Sequence, residues 1–423
     1  MEKQQPLQYL KVYTHNVARV LKPSQDGELA HAIHETLHYS LDGNEDDYLI
    51  SRSQLAASSC APSSSASAGK SSSDTFASQG QNGKLESDSE EVVHPGFVAT
   101  NDPDRPYASY MWNEKSSLLT LPHPSTIDKP LLSDPCTASD NEADLRDAFD
   151  VTTKFFYFSD AKVDGNSQES YYPAEWIDEA LGCLATATGL KTADTFIIAF
   201  PKLKLDCPHA SDEQIYKKAT KVADVWKRIS TDKRILSLGL SDVSQRSLRA
   251  FVSQLDCPSL PPEEAELGTN EPIEIPSSPS KVSLGPDRLD ERTELIRVYG
   301  PGPCRRPRLC TINLREQNCD DNSLGGRSVS KTSANASSCW DRGLAEYCKE
   351  ENVLLVAHND QKDILPERCL PTLLGEFEGR IPHAMSSNKR LEPVWLLKYT
   401  VLIRDRGVLA DKGFVLFCKT VEA

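Results

Sequence analysis

The stretch KRILSLGLSDVSQRSLRAF, residues 233–251, carries two hydrophobic periodicities back to back. Ile235 to Leu240 is an apolar run of strand length. Leu248, Phe251, Val252 and Leu255 then recur every three or four residues behind Ser244, the pattern of an amphipathic helix with a serine cap. A strand passing through a short polar turn into a helix is half of a βαβ unit, and the alternation recurs along the chain. Strand-like runs lie at 9–15, 151–159, 195–200, 235–240, 309–314 and 352–358. Helical stripes lie at 28–41, where Leu29, Ile33, Leu37 and Leu41 share a face, and at 212–229, where Ile215, Ala219, Val222, Trp226 and Ile229 do. Ser211 and Gln214 are spaced as a capping box for the second of these. Strand runs apolar on both faces and separated by helices imply a parallel sheet covered on both sides. The six units and a helical C-terminus predict an α/β fold, a (β/α)8 TIM barrel in one domain spanning 1–423. An open dinucleotide-binding sheet is the competing architecture, but no G-x-G-x-x-G follows any of these runs.

Three segments cannot add to a core: a Ser-rich one at 51–92, a Pro- and Glu-rich one at 256–292 and a polar one at 318–338. Their low hydrophobicity cannot offset the entropy of ordering them, so they read as disordered insertions. A net charge of −15 over 423 residues leaves no basic stripe to offset phosphates, which argues against a nucleic-acid partner. The N-terminus lacks the apolar segment of a signal peptide, and no apolar run approaches the ~18 residues of a membrane span. The 12 cysteines are scattered without a C-x-x-C pair, the usage of a cytoplasmic protein with reduced thiols. Cys183 and Cys348 on helix stripes and Cys310 and Cys418 in strand runs read as buried and inert, whereas Cys60, Cys136, Cys257, Cys319 and Cys339 fall in loops.

One motif suggests metal chemistry. HETLH, residues 34–38, matches the His-Glu-x-x-His pattern in which i and i+4 histidines share a zinc ion and the glutamate is general base. A catalytic zinc needs a third protein ligand, and the extended motif fails: Leu41 and Asn44 stand where a glycine and a histidine belong. His31, His34 and His38 flank the Leu29/Ile33/Leu37/Leu41 stripe as the border of a buried helix face, and no metal is expected.

The strand–turn–helix at 233–251 resembles a unit of the aldo-keto reductase barrel, and LLKYTVLIRDRGVL (396–409) is similar to that family's helix leading into its last strand. The chain resembles still more closely an offshoot of that family, the regulatory (modifier) subunits of glutamate–cysteine ligase. The segments that carry the resemblance are VTTKFFYFS (151–159), ADTFIIAFPKL (193–203), LLVAHNDQKDIL (354–365) and PVWLLKYTVLIRDRGVLADKGFVLFCK (393–419). With its low-complexity insertions the chain looks like a fungal-type form.

The resemblance says where reductase chemistry would sit. Working members use a tyrosine as general acid, a lysine paired to an aspartate that lowers the tyrosine pKa, and a histidine that orients the carbonyl. Lys154 falls where the lysine belongs, but the strand that should end in His-Trp-Pro reads Ala199-Phe200-Pro201. Asp102 and Tyr107 have the spacing of the other pair, with Pro103 and Pro106 interrupting. Of the residues that would meet a nicotinamide carboxamide, Ser241 persists, Asp242 replaces an asparagine and Thr311 a glutamine. A carboxylate cannot donate to a carboxamide oxygen, so no cofactor is expected and the barrel reads as a scaffold. An active NADPH-dependent aldo-keto reductase is the alternative, resting on Lys154, Ser241 and the Asp102/Tyr107 spacing. The family reading implies a non-catalytic partner of the glutamate–cysteine ligase catalytic subunit, a heterodimer of glutathione biosynthesis. Candidate interface residues are Asn359 and Asp360 in HNDQKD and Arg404 and Arg406 in IRDRG, near strand ends.

Overall fold

The computed structural model describes residues 6–14, 27–42, 97–99, 107–127, 146–162, 170–207, 209–256, 308–313, 342–358, 360, 363–382 and 388–422. The insertions at 51–92 and 318–338, and that at 256–292 beyond Asp256, lie outside these residues. The chain opens with β1 (Tyr9–Tyr13) and α1 (Glu28–Leu41), followed by the short strands β2 (Val98–Ala99), β3 (Tyr107–Ala108), β4 (Met111–Asn113) and β5 (Leu118–Leu121). Then come β6 (Phe149–Tyr157), β7 (Ala161–Lys162), β8 (Ser170–Tyr171), α2 (Glu175–Thr188), β9 (Ala193–Ala199) and α3 (Asp212–Ile229). They lead into β10 (Ile235–Ser241), α4 (Gln245–Asp256), β11 (Leu309–Asn313), α5 (Arg342–Glu350), β12 (Leu354–His358) and α6 (Cys369–Glu376). A long hairpin, β13 (Lys389–Ile403) and β14 (Val408–Glu422), ends the described chain.

All six expected strand runs are strands, and five of them, β6, β9, β10, β11 and β12, pair in parallel in that order. Local chemistry explains the helices between them. Ser211 and Gln214 close a reciprocal capping box on α3, with Asp212 and Glu213 in its first turn and Lys227 and Arg228 in its last, complementing the helix dipole. Gly189 ends α2 in the left-handed conformation at φ +81°, which costs glycine no Cβ clash. Gly239 serves a different end. A Cβ there would lie 2.8 Å from Leu309 Cδ2, so only glycine lets β10 and β11 approach as they do.

One sequence expectation is met in its coarser form and one is corrected. The fold is mixed α/β with a 10-stranded sheet in the order β12-β11-β10-β9-β6-β13-β14-β1-β5-β4, and among the described residues β12 and β4 do not pair to close a barrel. The expected C-terminal helix over 396–409 is instead β13, a turn and the start of β14. β13 is antiparallel to both β6 and β14, and β14 is antiparallel to β1, so the hairpin sits inside the sheet. The physical reason is period two. Trp395, Leu397, Tyr399 and Val401 face one side of the sheet, while Leu391 and Leu396 join the cluster on the other. Both faces are buried, so apart from Lys398 and Thr400 the run at 394–403 is apolar and hides its alternation. Thr400, Val401 and Ile403 are β-branched and favour a strand, and Gly407 at φ +60° turns the chain.

The sheet separates two cores. On one face α2, α3, α4 and α5 pack through Leu184, Trp226, Phe251 and Leu344 onto Phe155, Phe196 and Trp395. On the other, α1 and α6 bring Leu29, Ile33, Leu37, Leu370 and Leu374 onto Phe156, Leu396 and Leu416. Trp395 is 0% exposed and stacks between Phe155 and Phe417, with centroids 5.7 and 5.5 Å away. Trp395→Ala should therefore cost about 3–5 kcal/mol of unfolding free energy, measured by chemical denaturation. Tyr216→Ala, at a side chain 56% exposed, should stay within about 0.5 kcal/mol.

Candidate functional site

The C-terminal ends of the parallel strands carry a cluster of charged and hydroxyl side chains. Lys154 on β6 stands opposite Lys398 on β13, and paired residues in a ladder point to the same face. After β10 the chain turns sharply at Asp242, whose φ of +54° aspartate tolerates better than most residues. Its backbone N–H donates to the Thr311 carbonyl of β11 at 2.8 Å, fixing the turn against the next strand. His358 is the last residue of β12, and Asp360 follows two positions later.

Asp360 is the hub. Its carboxylate accepts from Lys154 Nζ at 3.0 Å on one oxygen and from Lys398 Nζ at 2.7 Å on the other. Burial alone would push its pKa up, but the charges and hydrogen bonds of Lys154 and Lys398 outweigh this and hold the carboxyl well below the usual range. Asp242 lies 3.6 Å from Lys154 Nζ and 2.8 Å from His358 Nε2. Burial again opposes its ionisation, and the His358 hydrogen bond with the Lys154 charge again prevails, lowering its pKa. The Asp360 backbone N–H donates to His358 Nδ1 at 3.3 Å. His358 Nε2 also lies 3.2 Å from Lys154 Nζ; a proton on Nε2 directed at Asp242 leaves Nδ1 to accept the Asp360 N–H, and Nε2 then cannot accept from Lys154. Thr311 donates to Ser241 Oγ at 2.9 Å, and Ser241 donates to Asp242 Oδ2 at 2.6 Å, so both hydroxyls end on that carboxylate. The Lys154 ammonium also lies 5.1 Å from the Phe156 ring centroid.

Of the residues singled out in the sequence, Lys154, Ser241, Asp242, Thr311 and Asp360 thus meet at one place. Ala199 ends β9 opposite Phe156 and is buried; its methyl offers no hydrogen bond where the reductase histidine would stand. Arg404 is elsewhere. It donates to the Phe149 carbonyl at 2.9 Å and lies 3.3 Å from Asp194, so it pins the opposite ends of β6 and β9. Arg406 is exposed at the hairpin turn. Tyr107 belongs to β3 and clusters with Phe97, while Asp102 and Asn359 lie outside the described residues.

Two members of the cluster, His358 and Lys398, escaped the sequence reading. His358 closes an apolar run at a strand's C-terminal end, a position where barrel-like proteins carry chemistry. Lys398 lay inside the segment read as helix. Counting in twos from Trp395, Leu397 and Tyr399 would have placed it on the opposite face.

The HETLH histidines serve the packing of α1. His34 Nε2 meets Glu376 of α6 at 3.2 Å, and His38 lies 3.8 Å from Asp42. Asp42 is held by both of its oxygens to Arg380, at 2.8 and 2.6 Å. Among the described residues no group of three His, Cys, Asp or Glu side chains is placed to hold a metal ion. Among them, too, no helix is long and apolar enough to cross a membrane.

The Asp360 hub makes a test with a defined sign. Its folded pKa lies below the unfolded value of about 3.9, so its contribution is fully present above that pH and is lost as pH falls toward the folded pKa. Asp360→Asn should destabilise the protein by about 3 kcal/mol at pH 7, because two ammonium groups lose their shared partner. Urea denaturation of both proteins should show this gap narrowing on acidification below about pH 4. A gap independent of pH would mean that the carboxylate is not the stabilising group.

Comparison with known proteins gives one direction. No family model matches the chain, and no solved structure does. The glutamate–cysteine ligase regulatory subunits of Mus musculus and Homo sapiens are each 33% identical to it over 76 residues, 18% of this chain and 26% of theirs. That of Bos taurus is similar over the same extent, 33% over 76 residues. The chain therefore spans about a quarter of the length of the curated relatives it matches (26%). What this chain is similar to, over that length, is the regulatory subunit of glutamate–cysteine ligase.

Proposed function

We propose that this protein is a non-catalytic regulatory subunit that binds the catalytic subunit of glutamate–cysteine ligase in the cytoplasm. Its role is to improve the use of glutamate and to relax feedback inhibition by glutathione, while the ATP-dependent ligation takes place on the partner. The observation that carries the reading is the 33% identity to regulatory subunits over 76 residues. The ion cluster supports it. Lys154 is bound to Asp360, and Tyr107 packs in a separate cluster with Phe97. A reductase needs a tyrosine beside that lysine to deliver a proton.

Regulation of this kind is a coupling free energy: the subunit binds a glutamate-competent conformation of its partner better than the inhibited one. Couplings of about 1–3 kcal/mol change an apparent affinity by roughly 5- to 150-fold. Among the candidate contact residues that the structure describes, Arg404 is held by Asp194 and Asp360 by two lysines, which leaves Arg406 at the hairpin tip. Beside it Val408 and Leu409 are 53% and 45% exposed, apolar surface that a partner could cover.

Added to the catalytic subunit, the protein should lower the apparent KM for glutamate and raise the glutathione concentration needed for inhibition. The two effects should appear together, because glutathione carries a glutamyl group and would compete at the same site. Arg406→Glu combined with Leu409→Ser should weaken complex formation by about ten-fold, near 1.4 kcal/mol, without lowering stability. A complex that forms and leaves both kinetic parameters unchanged would refute the regulatory role.

A further inference from the structure

Among the described residues β12 is the last strand on one side of the sheet, and its two faces differ. Leu355 packs against the core under α2 to α5, whereas Leu354 and Val356, pointing the other way, are 61% and 37% exposed. Their ladder partners Leu309 and Thr311 share that face. Farther along it α1 and α6 form a core that reaches Ala199 of β9 and, among the described residues, takes in nothing of β10, β11 or β12. The Leu354 N–H donates to the Arg308 carbonyl at 2.9 Å, so by alternation the Leu355 and Ala357 amides point away from β11, toward the outer edge. An apolar edge of this kind is ordinarily paired or covered. We propose that residues 293–299, the run TELIRVY, add to the outer edge of β12 as an antiparallel strand, with Ile296 and Val298 beside Leu354 and Val356.

The occupant follows from where the chain outside the described residues ends and what it contains. Residues 257–307 lie outside them, join α4 to β11 and end against Arg308, the residue bonded to Leu354. Within that Pro- and Glu-rich stretch, positions 295–299 hold four apolar residues in five: Leu295, Ile296, Val298 and Tyr299. Branched and aromatic side chains suit a strand. Gly300, Pro301, Gly302 and Pro303 follow, residue types that reverse a chain. Residues 300–308 can extend over about 30 Å, and the position beyond β12 is only two strand spacings, about 10 Å, from β11. A run that descends the edge of β12 and turns there enters β11 upward. It is then antiparallel to β12, because β11 and β12 are parallel. Period two puts Ile296 and Val298 on one face and Leu295, Arg297 and Tyr299 on the other. A second copy or the ligase subunit would have to bring a strand to this edge from solution, whereas the run is tethered beside it.

The test is hydrogen–deuterium exchange of the full chain, resolved to single amides by fragmentation, with sedimentation to fix the oligomeric state. The expected result is a monomer in which residues 293–299 and the Leu355 and Ala357 amides exchange about 100-fold slower than unstructured chain. Ile296→Asp combined with Val298→Asp should release both sets together and leave β9 unchanged. If that variant does not fold, the map of the unaltered protein decides alone. Four outcomes would overturn the proposal. These are residues 293–299 exchanging as unstructured chain, edge amides still protected in the double variant, edge protection lost as a dimer dissociates on dilution, and edge protection that appears only when the ligase catalytic subunit is added.

Discussion

The hairpin formed by β13 and β14 is the interaction on which the rest of the structure depends. It supplies the ladders that join β6 to β1, and so connects the five-strand parallel run to the β1-β5-β4 edge of the sheet. Without it the sheet would fall into two pieces, each with a long apolar edge open to solvent. Its side chains serve both cores at once. Trp395, Leu397 and Tyr399 lie under the layer of α2 to α5, while Leu396, Phe414 and Leu416 lie under α1 and α6. Because these residues come last in sequence, completing the core requires contacts of high sequence separation, which are slow to form.

The hairpin also builds the polar cluster. β6 and the strand ends after β10 and β12 supply Lys154, Asp242, His358 and Asp360, but the second cation on Asp360 is Lys398, from β13. An isolated carboxylate at this depth would carry a large desolvation penalty. Two ammonium groups offset it, and the carboxylate in turn relieves the repulsion between two lysines placed opposite one another across a ladder. The cluster is thus an electrostatic unit assembled from four strands, β6, β10, β12 and β13, and the turns that follow β10 and β12. The relay of hydroxyls from Thr311 through Ser241 to Asp242 extends that unit to β11 and saturates groups that a ligand could otherwise use.

The parts of the fold encoded by nearest neighbours were legible. The capping box of α3 was readable as Ser211 and Gln214, and the six strand runs were readable as short apolar segments bounded by polar turns. Strand order was not, because a C-terminal hairpin that inserts between β1 and β6 leaves no local trace. The run at 394–403 was misread because a strand buried on both faces has no alternation to distinguish it from a buried helix. That error hid Lys398 as well. Lys154, Ser241, Asp242 and Thr311 were legible through the family resemblance, and Asp360 as a polar residue just past a strand run. Arg404 was taken for a surface contact because a basic residue in a turn carries no sign of the Asp194 carboxylate, 210 positions earlier in the sequence, that lies 3.3 Å from it.

If the protein regulates its partner by favouring a glutamate-competent state, thermodynamic reciprocity follows. Any factor by which the subunit weakens glutathione binding must equal the factor by which glutathione weakens the subunit. The direct measurement is the dissociation constant of the complex with the ligase catalytic subunit, determined by sedimentation or calorimetry, alone, with glutamate and with glutathione. The account predicts tighter association with glutamate and weaker association with glutathione, by factors matching the kinetic shifts. A dissociation constant unchanged by either ligand would contradict it.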